Sequence, residues 1–180
     1  TAISDSPVYM FTCVPVYALP TSVYTQPMPR IQLFVTCLVD SFYPQTGEAV
    51  VSIFQRLGIS VDFARDQTCC GQPPFSAGLH VEARPLAQHT IEVFEKTTGD
   101  IVMPSGSCAH MMKHNYLELF RDDPVWLPRA QSLANRVYEF TEYLVDKLGV
   151  TDVGARWDGT LTYHPSCHLS RGLGVDRQPR

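Results

Sequence analysis

The stretch ISVDFARDQTCCG, residues 59–71, decides how the rest of the chain is read. ISVDF is a short run of strand length rich in β-formers, and the polar segment after it ends in two adjacent cysteines and a glycine. Neighbouring residues in an ordinary backbone do not offer normal disulfide geometry, so Cys69 and Cys70 need another use.

Working outward, the same unit recurs on both sides. Upstream, IQLFVT (31–36) is a compact apolar run that ends at Cys37, and GEAVVSIFQRLG (47–58) places Ala49, Val50, Ile53, Phe54 and Leu57 on one helical face. Downstream, the pattern predicts a helix over 79–96 with Gly99 to end it, a strand at DIVMP (100–104), and a loop opening a helix at Cys108. A long amphipathic helix is predicted over 124–148, with Leu133, Val137, Phe140, Leu144 and Leu148 on its buried face, and TLTYH (160–164) reads as a further strand before Cys167. Strands alternating with helices predict an α/β fold, a mostly parallel sheet flanked by helices. In such sheets ligands collect beyond the carboxyl ends of the strands. Cys37, Cys69, Cys70, Cys108 and Cys167 each follow a predicted strand, which puts them all on one edge.

With 180 residues, 44% of them hydrophobic, 18% charged and a formal net charge of −4, the chain supports one main core and lacks the basic balance of a nucleic-acid binder. Residues 1–29 include four of the 14 prolines beyond the one at Pro29 and show no periodicity, so they read as an unstructured extension. The apolar run Val8–Val23 is interrupted by Pro15 and Pro20 and lacks basic flanks, which makes it a poor transmembrane segment and a poor signal peptide. Six cysteines in a chain with this much core point to a reduced, cytoplasmic setting with metal-binding or catalytic thiols rather than a disulfide framework.

Converging thiolates are soft donors, suited to an iron–sulfur cluster or to zinc. The adjacent pair favours a group that offers several metal atoms over one tetrahedral ion, and Gly71 suits a tight turn close to a ligand. SGSC at a predicted helix start would lower the Cys108 pKa, which also fits a nucleophilic cysteine working with a nearby histidine base. His110 and His114 stand at a chelating spacing, although solvent-facing histidines are the favoured reading, and His164 and His168 flank Cys167. Trp126 and Trp157 read as packing residues, and no GxGxxG or P-loop pattern is present.

Cys37, Cys69-Cys70-Gly71 and Ser105-Gly-Ser-Cys108, within the blocks LFVTCLVD, QTCCGQPPFSAG, MPSGSCAHM, FTEYLVDKLGV and YHPSCHLSRGLGV, resemble the cysteine-rich CCG domain family of iron–sulfur proteins. That family includes subunits of heterodisulfide reductase and glycolate oxidase, and the wording here is most similar to its lactate-utilization branch. The resemblance implies an iron–sulfur electron-transfer subunit of an L-lactate-oxidising complex, working with other iron–sulfur and small accessory subunits. It implies Cys37, Cys69, Cys70 and Cys108 as ligands of a cluster of 4Fe-4S type, cubane or noncubane, with zinc as the alternative and Cys167 as a further cofactor-binding residue. Ser105 stands where the fullest family pattern has the first cysteine of CxxC. The family's two repeats imply a first CCG domain over residues 30–158 and the start of a second, pseudo-symmetric copy over 159–180, with Met28 a candidate natural start.

Overall fold

In this computed structural model residues 29–180 are described, so the predicted extension up to residue 28, with Cys13 and Met28, lies outside the described residues. Four parallel strands, β1 (Arg30–Leu33), β2 (Ser60–Asp62), β3 (Asp100–Met103) and β4 (Val137–Glu139), form one sheet in the order β2-β1-β3-β4. The fold is therefore α/β with a parallel sheet flanked by helices. The chain leaves β1 toward β2 on one side and later returns to place β3 on the other, so the strand order reverses between β1 and β3. A crevice at that reversal is where doubly wound sheets bind ligands.

Alternation along the strands supplies two cores. Ile31 and Leu33 of β1 and Val102 of β3 pack with Val50 and Phe54 of α2 (Pro44–Arg56) and with Tyr143 and Leu144. Ile101 and Met103 face the opposite way, against Ile91 and Phe94 of α4 (His80–Glu95) and against Met111, Met112 and Tyr116. A parallel sheet covered on both faces explains why IQLFV and DIVM are continuous apolar runs. Gln32 is the polar exception inside β1, and its amide donates to the Thr98 carbonyl at 3.2 Å.

The short helix α1 (Cys37–Phe42) begins directly after β1, capped by Thr36, whose hydroxyl accepts from the Val39 amide. Proline in its first turn starts α2, where a missing N–H costs nothing. After the CCG turn come α3 (Gln72–Ser76) and α4, and after β3 the chain enters α5 (Gly106–His110), a π-helical turn (Met111–Asn115) and α6 (Tyr116–Leu119).

Two expectations are corrected. The helix predicted over 124–148 is divided into α7 (Trp126–Ala134), strand β4, α8 (Phe140–Glu142) and a π-helical turn (Tyr143–Lys147). The free edge of β3 captures Val137–Glu139, pairing Ile101 with Val137 and Met103 with Glu139. TLTYH forms no strand: residues 160–164 lie outside the sheet, and Leu161 is 71% exposed. Trp126 packs on Phe120 as expected, whereas Trp157 is exposed.

Candidate metal centre

The carboxyl ends of β1, β2 and β3 deliver the thiols. Cys37 is the first residue of α1, Cys69 and Cys70 occupy the loop between β2 and α3, and Cys108 lies in the first turn of α5. Their sulfurs meet in a chain: Cys37 reaches Cys69, Cys69 reaches Cys70, and Cys70 reaches Cys108. Backbone amides also point at them, from Leu38 to Cys37, Gly71 to Cys69 and Gln72 to Cys70. A cavity of about 360 Å³ opens beside Cys37, Cys70 and Cys108, walled in part by Thr36, Tyr43 and Ser105.

The turn is held from three directions. Gly71 sits at φ +83°, and a Cβ there would lie 3.3 Å from the Ala83 carbonyl oxygen, so only glycine fits both the backbone and the space. The Tyr116 hydroxyl, fully buried, donates to the Cys70 carbonyl at 2.8 Å. Gln67 ties the loop to β1: its amide oxygen accepts from the Val35 N–H at 2.8 Å and its amide nitrogen donates to the Leu33 carbonyl at 3.2 Å. Neither Tyr116 nor Gln67 carries a motif that marks it in the sequence; a polar residue just ahead of CCG was the only available signal for Gln67.

The charge pattern follows from the chain of sulfurs. The Cys70 hydrogen bond holds the Cys69 thiol down to about 5, helped by the Gly71 N–H, and a bond from Cys70 likewise lowers the Cys108 thiol against the opposing effect of burial. Cys70 keeps its proton, pushed up by its bonds to Cys108 and Cys69 and by burial. Burial and the neighbouring Cys69 raise Cys37. Protons are thus held back at the middle of the set while two neighbours favour the thiolate, the form in which cysteine binds metal.

Among the described residues, no group of three or more His, Cys, Asp or Glu side chains is arranged to hold one metal ion. Four thiols that act on one another, with a cavity alongside, fit a polynuclear group better than a single tetrahedral ion.

The structure brings together four of the five sequence-predicted cysteines. Cys167 is exposed and is not among the partners of the other thiols. His110 is not solvent-facing: its Nδ1 is buried without a hydrogen-bond partner, and its ring lies 5.1 Å from that of His114 and 5.3 Å from that of His168.

A thiol set at the strand reversal of a parallel sheet is the setting in which residues 31–113 match the Cysteine-rich domain family, CCG. At the level of particular proteins, the chain is similar to Lactate utilization protein A of Exiguobacterium sp., 49% identical over 153 residues, which are 84% of this chain and 62% of that protein. Lactate utilization protein A 1 of Bacillus cereus (strain AH820) is 51% identical over 151 residues, 83% of this chain and 62% of the relative. The protein of the same family name from Bacillus cytotoxicus is 50% identical over a stretch of the same length, with the same coverage. The chain thus spans less than two thirds of the length of these curated relatives. No solved structure matches it.

Proposed function

We propose that this chain binds an iron–sulfur cluster of 4Fe-4S type through Cys37, Cys69, Cys70 and Cys108 and serves as an electron-transfer subunit in the oxidation of L-lactate to pyruvate. The observation that carries the cluster reading is the grouping of four thiols at the strand reversal; the similarity to proteins named for lactate utilization supports the substrate. Such a cluster would supply one-electron transfer.

The chain's own residues do the holding. Gly71 lets the backbone approach closely, Tyr116 and Gln67 fix the turn, and the amides of Leu38, Gly71 and Gln72 neutralise thiolate charge. Residues 30–158 act as the first CCG domain, and 159–180, with Cys167, belong to a second copy. The five described cysteines are all free, in keeping with a reducing, cytoplasmic location, and no helix among the described residues is long and apolar enough to cross a membrane. Partners are the other iron–sulfur and accessory subunits of a lactate-utilization complex.

The test uses the full-length protein assembled with its co-purifying subunits under anaerobic conditions. L-lactate is expected to bleach its visible charge-transfer absorption and to yield pyruvate. A protein with that absorption that ignores L-lactate would remove the substrate assignment, and a colourless one with stoichiometric zinc would remove the cluster.

A further inference from the structure

The short helix α1 carries an apolar face that the fold leaves open. Leu38 is 61% exposed, Phe42 69%, and Tyr43, the residue that follows the helix, 58%. Leu38 and Phe42 stand four apart and so share one side of the helix. Large apolar side chains exposed singly are ordinary, but three together on one short helix and its cap mark a contact surface.

The position of that face gives it meaning. Cys37 is the first residue of α1 and the most open of the four thiols: Cys69 is only partly accessible, while Cys70 and Cys108 are buried. Leu38 and Tyr43 wall the thiol cavity together with Cys37. A second hollow, of about 530 Å³, adjoins it, with Val39 common to both. Asp40 and Glu48 are the only Asp, Glu, Lys or Arg side chains lining either hollow, and neither forms an ion pair among the described residues. Residues 1–28 contain no Lys, Arg or His that could neutralise them.

We propose that this face docks a one-electron redox protein whose contact surface is apolar at its centre and ringed by Lys and Arg, so that electrons cross beside Cys37. The proposal rests on the iron–sulfur reading above and names the kind of partner that site would serve. In each transfer the reduced cluster loses one electron and the partner's acceptor gains it, with no bond made or broken. Transfer slows steeply with distance, so it belongs at the edge where the thiol set is least covered. A small apolar contact with a charged rim also suits partners that must separate after each transfer, since the carboxylates steer the approach and the apolar area holds the pair briefly. A second copy of this chain fits less well, because two such faces related by a two-fold axis would set carboxylates against carboxylates.

The probe is cytochrome c, whose exposed haem edge lies within a ring of lysines. Its binding to the full chain is measured by titration calorimetry at low ionic strength, once metal-free and once after anaerobic reconstitution with iron and sulfide. Asp40→Lys combined with Glu48→Lys is expected to weaken binding about tenfold in both forms. Glu92→Lys combined with Glu118→Lys makes the same change in net charge on α4 and α6, across the sheet from α2, and is expected to alter binding less than about twofold. Phe42→Ser, which changes no charge, is expected to weaken it about threefold. In the reconstituted protein, reduction of cytochrome c should slow in the Asp40 and Glu48 variant while reduction of a small uncharged quinone keeps its rate. Equal weakening by the two charge-reversed pairs would reduce the effect to net charge and, with iron retained, overturn the proposal alone. Unchanged binding in the Asp40 and Glu48 variant would do the same, as would a wild-type chain that fails to bind because residues 1–28 or a second copy, seen as a dimer in sedimentation, already occupy the face. A wild-type chain that takes up no iron would overturn the cluster reading and the redox partner with it.

Discussion

Cys70 and Tyr116 are separated by 46 residues in the chain, yet the tyrosine hydroxyl ends on the Cys70 carbonyl inside the core. Removing that hydroxyl leaves a buried carbonyl without its partner, which costs about 1–3 kcal/mol. Tyr116→Phe should therefore unfold at lower urea concentration with an unchanged slope, and an unaltered midpoint would show that the turn does not depend on the bond. At the next residue back, Cys69 is the thiolate of the pair, its thiol lowered to about 5 mainly by the Cys70 hydrogen bond. A thiol lowered in the folded state ionises earlier as pH rises, so in the metal-free protein Cys69 should react with iodoacetamide at a rate that has already levelled off at neutral pH. Mass-spectrometric mapping across pH checks this, and a rate still climbing above neutrality would contradict the shift. The cysteines were legible in the sequence because adjacent thiols have few structural uses. Tyr116 and Gln67 were not, because an ordinary tyrosine and an ordinary glutamine acquire their role only from contacts made across the fold.

Helices and strands were legible where one period dominated. Residues 47–58 and 79–96 were read as helices, and the structure places α2 and α4 there. The segment 124–148 failed because its apolar spacing satisfies two architectures. Leu133, Val137 and Leu144 are all buried, as the helical reading required, but Val137 is buried as a strand residue on the open edge of β3. Local periodicity cannot register that a neighbouring strand has an unpaired edge to offer. The opposite failure occurs at 160–164, where the run has strand character but no ladder partner among the described residues. Gln67 carries the element-scale prediction, since it joins the CCG loop to the end of β1. Gln67→Ala should speed hydrogen exchange at the Val35 amide while leaving amides of β3 protected, and equal protection at Val35 would mean the loop is held by other contacts.

For the molecule as a whole, the alternation of strands and helices was enough to place Cys37, Cys69, Cys70 and Cys108 after strands. The order β2-β1-β3-β4 was not in that pattern, because it depends on which strand edges pair. That order matters most for function. It sets β1 between β2 and β3, so Cys37 after β1, Cys69 and Cys70 after β2 and Cys108 after β3 all come to one end of the sheet. The same view separates Cys167, which follows β4 in the chain without joining the sheet's thiol set. The central claim is that four thiols act as one metal-binding set. It is tested most directly by iron and sulfide content after anaerobic reconstitution of this chain with serine at each of Cys37, Cys69, Cys70, Cys108 and Cys167 in turn. The account predicts that iron and sulfide fall sharply for the first four variants and hold at the wild-type level for Cys167→Ser; full iron in Cys70→Ser, or zinc without sulfide in the wild type, would contradict it.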